Sequence, residues 1–419
     1  MKIISLIAIL LIAPAITVAD DFDDIVGWYE TAPNERSLVT WGATGGLRVF
    51  DFDSHRFEKL TAAGAGSFVW NRDSATRQVS FVRNSEGRVT ALRWRDQNGS
   101  EETAKRIDHY GYSQKEIRFK SGDTALVGLL MMPQSRGPHP AAAIIHGSGT
   151  SDRDNVWAFS IANHLALNGC AVLLPDKRGS GKSGGDWHTA NFNLLAQDAL
   201  AALGVLKSQS EVDRKKMGLV GLSQGGWIAP LAASISKDVK FVIDVSGASV
   251  TVREQVIHEI IQTFRQRKVP ESDIEIAKEI FPLSERYMKT GTGWEAYQAK
   301  LERAPFSVRL AFIGKKDDWR WNWYKEVFDF DPIPYWQRLD APVLVVFGEE
   351  DEYDNVPVKE SVARLERLAK NGRDITIKVY PDSGHAIADA ATHWIRKDFL
   401  ELLISWTEKK MKWRRRAAQ

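Results

Sequence analysis

The five-residue segment Gly221-Leu222-Ser223-Gln224-Gly225 constrains the fold of this chain more than any other part of the sequence. It follows a short apolar stretch and precedes a helix-like one. In the pattern Gly-x-Ser-x-Gly a serine lies at the tip of a sharp strand-to-helix turn, where β-carbons on the flanking residues would collide. The turn lifts the serine hydroxyl clear of the sheet. Because an ordinary glycine-rich turn can match the same pattern, the rest of the sequence must decide between the two interpretations.

Length and composition predict a globular protein with one large domain and one small one. The chain has 419 residues, of which 43% are hydrophobic and 26% are charged. A formal net charge of +2 favours neither a nucleic-acid-binding protein nor one built to bind acidic partners. Oligomeric state is not indicated by the sequence. The single cysteine, Cys170, excludes an intramolecular disulfide and is expected to be a buried core residue.

Residues 1–19 have the composition of a secretory signal peptide. Lys2 is followed by an uncharged, mostly apolar run that ends at Ala19, and two aspartates come next. Pro14 interrupts the run, which is shorter than the roughly 20 residues of a membrane-spanning helix. We therefore expect cleavage after Ala19 and a periplasmic or secreted protein without stable membrane insertion.

Residues 24–110 predict a small antiparallel β domain, because short alternating runs are separated by turn signals. No cluster of residues there suggests chemistry, and a binding role or a structural cover for the rest of the chain are both compatible with it. The predicted strands are Ser37–Trp41, Leu47–Phe50, Ser67–Trp70, Gln78–Val82 and Val89–Trp94.

Residues 111–410 alternate strands with helix-like segments, which is typical of a mostly parallel sheet with helices on both faces. An entry hairpin is expected at Ile117–Leu130, with Gly122-Asp123 at its turn. The further predicted strands are Ala141–Ile145, Cys170–Leu174, Met217–Val220, Phe241–Val245, Val343–Phe347 and Ile375–Val379.

A long helical insertion separates the strand that ends at Val245 from the one that begins at Val343. We interpret residues 250–335 as a cap over the site, because so long a departure between successive strands is usually functional. The basic tail, residues 411–419, is expected to be the solvated end of the last helix, and contact with a membrane surface or an anionic polymer is the alternative.

A serine hydroxyl is a weak nucleophile at neutral pH and needs a histidine to accept its proton and an acid to orient that histidine. Asp351 follows a predicted strand and the strand-ending Gly348. His385 follows the last predicted strand and is preceded by Gly384. We expect Ser223, Asp351 and His385 to form a catalytic triad.

Other residues compete for these two roles. The competing acids are Glu349, Glu350, Asp354 and Asp244, of which Asp244 is expected to be satisfied by neighbouring backbone. The competing histidines are His146 before a glycine loop, His258 on the cap and His393 on the helix expected after His385.

The negative charge that develops on a tetrahedral intermediate requires backbone N–H donors. Gln224, directly after the serine, offers one at the start of its helix. The loop His146-Gly147-Ser148-Gly149 offers a second, for which the N–H of Ser148 is the best candidate. His146 itself is expected to brace this loop.

The sequence contains four motifs in this order: His146–Gly149, Asp176–Ser183, Gly221–Gly226, and the pair Gly348–Asp351 and Gly384-His385. Together they resemble those of the α/β-hydrolase superfamily over residues 111–410, with the acid between serine and histidine in the chain. The run from Gly147 to Asp154 looks most like exported bacterial hydrolases of the serine aminopeptidase-like or acyl-thioester-hydrolase-like groups. The resemblance implies an α/β-hydrolase fold, and loop-bracing roles for Asp176 and Arg178. In such relatives Val356-Pro357 commonly follows the acid more closely, which leaves Asp354 open as the acid.

The residue pattern and the resemblance both predict acyl transfer to water through an acyl-enzyme, acting on a small acyl substrate or a short peptide. We expect a carboxylic ester as substrate; a peptidase, a thioester hydrolase and a non-catalytic binding protein are the alternatives. The cap segment Trp319–Tyr324 is expected either to line an acyl or aromatic pocket or to anchor the cap. The mechanism requires no cofactor or metal, and the sequence predicts neither.

Overall fold

The computed structural model describes residues 24–414, apart from positions 34, 52–55, 65–66, 73–74, 109 and 390. The predicted signal peptide, residues 1–19, lies outside the described residues. The same is true of residues 415–419 of the predicted basic tail.

Eight antiparallel strands near the amino terminus close into a barrel. The barrel closes because the first strand pairs with both the second and the eighth, so that Trp28 lies opposite Leu38 on one side and Ile107 on the other. The strands are β1 Gly27–Ala32, β2 Glu35–Trp41, β3 Leu47–Asp51, β4 Arg56–Gly64, β5 Ser67–Arg72, β6 Ala75–Arg83, β7 Val89–Arg95 and β8 Glu101–Ile107.

Alternation of side chains fills the barrel. In β7, Leu92 and Trp94 are buried while Arg93 and Arg95 are exposed, as expected for a strand with one face on a core. The Trp94 ring meets Trp70 edge to face, with the ring centroids 5.9 Å apart. The predicted antiparallel β domain is confirmed; its strands β1, β4 and β8 were not predicted.

The second sheet also has eight strands, in the order β16-β15-β14-β13-β11-β12-β10-β9. Strands β11 to β16 run parallel, whereas β9 and β10 form the antiparallel entry hairpin with Gly122 at its turn. These strands are β9 Tyr112–Ser121, β10 Thr124–Pro133, β11 His139–Ile145, β12 Ala171–Pro175, β13 Val212–Leu222, β14 Phe241–Val245, β15 Val343–Gly348 and β16 Ile375–Tyr380.

Helices cover both faces of the second sheet. Phe192 and Leu365 belong to the core on one face, and Phe159 and Phe399 to the core on the other. The helices are α1 Val156–Leu167, α2 Phe192–Ser208, α3 Gly225–Ser234, α4 Val252–Gln266, α5 Glu271–Thr290, α6 Trp294–Arg303, α7 Phe306–Arg309, α8 Trp319–Val327, α9 Ile333–Trp336, α10 Val358–Lys370 and α11 Lys397–Met411.

Helices α4 to α9 form the cap between β14 and β15. The cap has an apolar core of its own, which includes Phe264, Ile274, Tyr297 and Trp321. Trp323 joins it to the main domain by donating a hydrogen bond from Nε1 to the carbonyl of Ala190 at 3.2 Å. The α/β-hydrolase fold with a helical cap, expected from the sequence, is confirmed.

The segment after His385 differs from the prediction. The next helix, α11, begins only at Lys397, and His393 lies before it in a loop, with a φ of 55°. The prediction that His393 is helical is therefore wrong. Asp389 explains the loop, because its Oδ1 accepts a hydrogen bond from the backbone N–H of Thr392 at 2.9 Å and closes a turn.

In a parallel sheet the carboxyl ends of the strands meet at one edge, so the loops that follow β11, β13, β14, β15 and β16 lie together there. Within the described ranges, none of the helices combines the length and the apolar character that crossing a membrane requires.

Candidate active site

Ser223 occupies the turn between β13 and α3. Its φ of 53° lies in the left-handed region, which residues other than glycine adopt uncommonly and which is often found at functional sites. Its backbone N–H donates to the carbonyl of Val245 at 2.9 Å, and its own carbonyl accepts from the N–H of Gly226 at 2.8 Å. These bonds hold the serine between the ends of two neighbouring strands.

The flanking glycines are required by close packing of the backbone. A Cβ on Gly221 would lie 2.3 Å from the carbonyl oxygen of Gly225. A Cβ on Gly225 would lie 2.4 Å from the carbonyl oxygen of Ile145. Both distances are too short for a side chain, so α3 can begin this close to β13 and β11 only with glycine at both positions.

Asp351 and His385 are joined by a hydrogen bond. His385 Nδ1 lies 2.7 Å from Asp351 Oδ2, and Asp351 is fully buried within the short helical turn Glu349–Tyr353 that follows β15. Such a bond orients the imidazole and leaves its Nε2 available for a substrate or a hydroxyl. Asp354 is exposed, and its carboxylate contacts Gln266 at 3.5 Å instead.

Gly348 allows the two loops to meet. A Cβ at this position would lie 2.2 Å from the carbonyl oxygen of Ser383 and 2.3 Å from that of Gly384. The N–H of Glu350 donates to the Ser383 carbonyl at 3.0 Å. The loop that carries the histidine therefore passes directly over the end of β15, which brings His385 to the acid.

The segment after β14 links the serine and histidine loops. Val245 accepts the Ser223 N–H, and the hydroxyl of the next residue, Ser246, donates to the carbonyl of His385 at 2.7 Å. The Trp157 ring packs against the imidazole of His385, with the ring centroids 5.5 Å apart. One segment thus fixes the backbone of both the serine and the histidine.

The candidate oxyanion donors lie beside the serine. Among the described residues, the backbone N–H groups of Ser148 and Gln224 donate to no protein acceptor. A Cβ on Gly147 would lie 3.3 Å from the Ser223 Cβ, so the loop after β11 contacts the serine directly. One cavity is lined by Ser148, Gln224 and Ser223. An oxyanion in this cavity can accept hydrogen bonds from the free backbone N–H groups of Ser148 and Gln224.

Lys177 supports the loop that carries Ser148. Its Nζ donates to the carbonyl oxygens of Gly147 at 2.7 Å and Gly149 at 3.1 Å, and to Gln224 Oε1 at 2.9 Å. Burial lowers the pKa of Lys177 to about 7, because a charged ammonium is poorly solvated in the interior. The Lys177 side chain thus connects the two segments that carry the candidate oxyanion donors, Ser148 and Gln224.

His146 braces the same loop, as the sequence predicts. Its Nε2 lies 2.6 Å from the Pro175 carbonyl, and its Nδ1 lies 3.0 Å from Ser151 Oγ. The carbonyl requires Nε2 to be the donor, so Nδ1 accepts from the hydroxyl in the neutral ring. Burial lowers the pKa of His146 to about 4, which agrees with a neutral imidazole.

The predicted bracing residues also pair within the fold. Asp176 accepts two hydrogen bonds from the fully buried Arg153, at 2.9 Å from Nε and 2.8 Å from Nη2. Arg178 makes a bidentate pair with Asp198 at 2.9 and 2.6 Å. These pairs hold the loops after β11 and β12 in place.

The competing acid Asp244 and the competing histidine His258 each contact a backbone group instead. Asp244 is buried, and its Oδ1 accepts from the backbone N–H of Gly247 at 3.0 Å, as expected from the sequence, whereas its buried Oδ2 accepts no hydrogen bond from the described residues. Burial raises its pKa well above the usual range. His258 Nε2 lies 2.8 Å from the Glu352 carbonyl and joins the cap to the acid loop.

A cavity of about 270 Å³ lies between the serine turn and the cap. Its walls come from the loops after β11 and β14, from the turn at Trp187, and from α4 and α8 of the cap. The aromatic lining residues are Trp187, Trp227, Trp319, Trp323 and Tyr324, and the charged lining residues are Glu259 and Arg320. The cap segment expected to line a pocket or to anchor the cap does both, since Trp323 also bonds to Ala190.

Sequence reasoning did not identify Lys177, Ser246 or Glu259 as residues of the site. Lys177 stands between two motif residues, Asp176 and Arg178, which is a weak signal that it faces the same loops. Glu259 is one of many charged residues on the cap helices, and no local pattern distinguishes it.

In the part of the chain that the structure describes, no three histidine, cysteine, aspartate or glutamate side chains are grouped as a metal site would require.

The model of the alpha/beta hydrolase family matches residues 143–396, more than half of the chain. The chain belongs to the alpha/beta hydrolase family. The matched range includes the serine turn, the acid loop and the histidine loop of this hydrolase.

Several curated proteins are similar to this hydrolase. The esterase EstD of Thermotoga maritima is 25% identical over 326 residues, which is 76% of this chain and 71% of the esterase. The dipeptidyl-peptidase 5 of Porphyromonas endodontalis is 22% identical over 281 residues, 65% of this chain and 34% of the peptidase. The thiohydrolase aneE of Aspergillus aculeatus is 28% identical over 166 residues, 38% of this chain and 51% of that enzyme.

The solved structures that resemble this hydrolase include two proteins from Pyrococcus. The Pyrococcus furiosus esterase has a TM-score of 0.48 and 18% identity, covering 72% of this hydrolase and 92% of the esterase. The Pyrococcus horikoshii acylaminoacyl peptidase has a TM-score of 0.49 and 15% identity, covering 94% of this hydrolase and 57% of the peptidase.

Proposed function

We propose that this hydrolase cleaves a carboxylic ester through an acyl-enzyme, with Ser223 as nucleophile, His385 as general base and Asp351 as the acid that orients the imidazole. One observation carries the proposal: the 2.7 Å hydrogen bond between His385 and the fully buried Asp351, on loops tied to a serine in left-handed conformation. A serine and a histidine without this support would be ordinary polar residues.

In the proposed reaction, Ser223 Oγ attacks the ester carbonyl carbon while His385 Nε2 accepts the hydroxyl proton. The carbonyl oxygen becomes an oxyanion, which the N–H groups of Ser148 and Gln224 stabilise. The intermediate collapses, the bond to the alkoxy oxygen breaks, and His385 gives the proton to the departing alcohol. Water then attacks the acyl-enzyme in the same way and releases the carboxylic acid and free Ser223.

The ester is favoured as substrate because an esterase matches 76% of this chain over 71% of its own length. A peptidase acting on short peptides is the second candidate, since a dipeptidyl peptidase matches 65% of this chain. A thioester hydrolase is supported by the thiohydrolase match over a shorter range. All three reactions use the same proposed nucleophile, base and orienting acid.

A fluorophosphonate probe tests the nucleophile. We expect stoichiometric labelling of the wild-type protein, no labelling of Ser223→Ala, and full labelling of Ser234→Ala, a matched serine at the far end of the adjoining helix α3. Intact protein that resists labelling would instead indicate a non-catalytic binding protein.

A panel of substrates then decides the leaving group. Rates are compared for nitrophenyl esters, acyl thioesters and aminoacyl anilides with matched acyl groups. We expect the esters to give the highest kcat/KM, relative to each substrate's uncatalysed rate. If the anilides lead, the peptidase assignment replaces the esterase one.

The composition of residues 1–19 supports the further proposal that the enzyme works in the periplasm or outside the cell. Fractionation of cells that express the full chain, with the amino terminus determined by mass spectrometry, tests this. Protein that keeps residues 1–19 in the cytoplasm would contradict it.

A further inference from the structure

The cavity above Ser223 contains a carboxylate without a cationic partner. Glu259 lines it from α4 and accepts one hydrogen bond, from Gln255 Nε2 to Oε2 at 3.1 Å. In the described ranges Glu259 forms no salt bridge with a lysine, arginine or histidine. A carboxylate removed from water in this way is unfavourable unless a cation or further donors complete its coordination.

The one arginine in the cavity lining is already neutralised. Arg320 makes a bidentate pair with Asp318, from Nε to Oδ1 at 2.8 Å and from Nη2 to Oδ2 at 2.8 Å. The charge of Arg320 is thus balanced by Asp318, which caps the start of α8. The uncompensated charge among the lining side chains is the negative one on Glu259.

The surroundings of Glu259 are acidic. Burial raises the pKa of Glu259, the hydrogen bond from Gln255 opposes this, and the charges of Asp354 and Asp351 raise the pKa further. His385 acts in the opposite direction. A positive charge brought into the cavity would relieve both the desolvation and the repulsion between these carboxylates.

The cavity that Glu259 lines also has aromatic walls, of the kind that bind cations. Trp187, Trp319, Trp323 and Tyr324 line the cavity, and the rings of Trp187 and Trp319 meet edge to face with centroids 5.3 Å apart. Glu259 and Tyr324 line the same cavity, and the Glu259 charge adds to the burial that raises the pKa of Tyr324. Aromatic faces with a carboxylate form the usual environment for an ammonium group.

We propose that the substrate of this hydrolase carries an ammonium group, which pairs with Glu259 inside the aromatic cavity while its acyl carbonyl lies at Ser223. This inference rests on the proposed function and specifies its substrate class. The rival interpretation is structural: Gln255 also donates to the side chain of Asn355, so this part of α4 supports the acid loop. In that case replacing Glu259 would change stability without changing substrate preference.

Three esters of nearly equal shape separate these interpretations. The neutral reference is 3-methylbutyl heptanoate. Replacing the terminal methyl of its acyl chain by an ammonium gives 3-methylbutyl 6-aminohexanoate. Replacing the branched carbon of its alcohol by a protonated amine gives 2-(dimethylamino)ethyl heptanoate. The two charged esters thus place the cation on either side of the scissile bond.

We expect at least one charged ester to exceed the neutral one in kcat/KM by about tenfold or more in the wild-type enzyme, the usual scale for a charged hydrogen bond. Glu259→Gln should abolish that preference. Glu326→Gln, which removes an exposed carboxylate of the same cap, should retain it. Equal or faster hydrolysis of the neutral ester by the wild-type enzyme overturns the inference, as does a preference that survives in Glu259→Gln.

Protection from fluorophosphonate labelling gives a second readout that needs no turnover. Hexylammonium should slow the labelling of Ser223 at lower concentration than hexanol does, and the difference should vanish in Glu259→Gln and in the shorter Glu259→Asp. Equal protection by the two compounds overturns the ammonium site. Labelling that depends on Ser223 without this difference leaves the proposed function standing, whereas absence of labelling removes both.

Discussion

The ammonium nitrogen of Lys177 lies 2.9 Å from the side-chain oxygen of Gln224, the residue directly after the candidate nucleophile. The same nitrogen donates to Gly147 and Gly149 on the loop that carries Ser148. Lys177 thereby fixes the distance between the backbone N–H donors of Ser148 and Gln224, which follow two different strands. A donor aimed at an oxyanion is effective only when its position is fixed in advance.

We predict that Lys177→Met lowers kcat by about 10- to 100-fold and changes KM little, because Lys177 holds the donors without lining the cavity. Removing an oxyanion donor outright costs about 10²- to 10³-fold, and displacing one costs less. Steady-state kinetics on the best ester of the panel measures both constants. Lys182→Met, which breaks a pair with Glu116 in the same region, is the matched control. Unchanged kcat in Lys177→Met would contradict the role.

The acid assignment predicts opposite results for two neighbouring aspartates. Asp351→Asn should lower kcat by about 10³- to 10⁴-fold, because an amide favours the wrong tautomer of His385. Asp354→Asn should stay within about threefold of wild type, since the Asp354 carboxylate is exposed and contacts Gln266. The same kinetic assay serves both variants, and the reverse pattern would assign the acid to Asp354.

Two glycines should respond oppositely to alanine. A Cβ on Gly226 would lie 2.2 Å from Asp244 Oδ1 and 2.6 Å from the Gly247 Cα, so Gly226→Ala should lower the free energy of unfolding by about 1–3 kcal/mol. Gly204 lies inside α2, and a Cβ there would meet no atom within 4 Å. Gly204→Ala should raise the free energy of unfolding by about 0.5–1 kcal/mol. Urea unfolding measures both, and equal effects would contradict the packing argument.

The sheet and the candidate triad were predictable because their signals are local. Buried parallel strands appear as short apolar runs, and polar residues directly after such runs fall at one edge of the sheet. Ser223, Asp351 and His385 all meet that condition, and the structure brings Asp351 to His385. The sequence left Asp354 open because it lies in the same loop, three residues further on.

The remaining features depend on contacts between distant segments. The barrel closes through the pairing of Trp28 with Ile107, and neither strand has a strong apolar alternation of its own. Lys177 and Glu259 reach the site from a loop and a cap helix, so only the packed structure shows what they face. His393 was predicted as helical because a turn closed by the Asp389 side chain does not interrupt the surrounding sequence with glycine or proline.

His146 predicts an acid-sensitive stability. Burial lowers its pKa in the folded protein to about 4, below the ordinary value of 6.5. As the pH falls from about 6.5 to 4, the unfolded chain therefore binds a proton that the folded protein does not, and the free energy of unfolding decreases. The decrease due to this group is at most about 1.4 kcal/mol per pH unit, and it ends below pH 4, where both states are protonated. In His146→Gln, which cannot titrate, this part of the slope should vanish, so the stability difference between wild type and variant should shrink on acidification. Urea midpoints of both proteins between pH 4 and 7 provide the comparison, and a constant difference would show that His146 has the same pKa in the folded and in the unfolded protein.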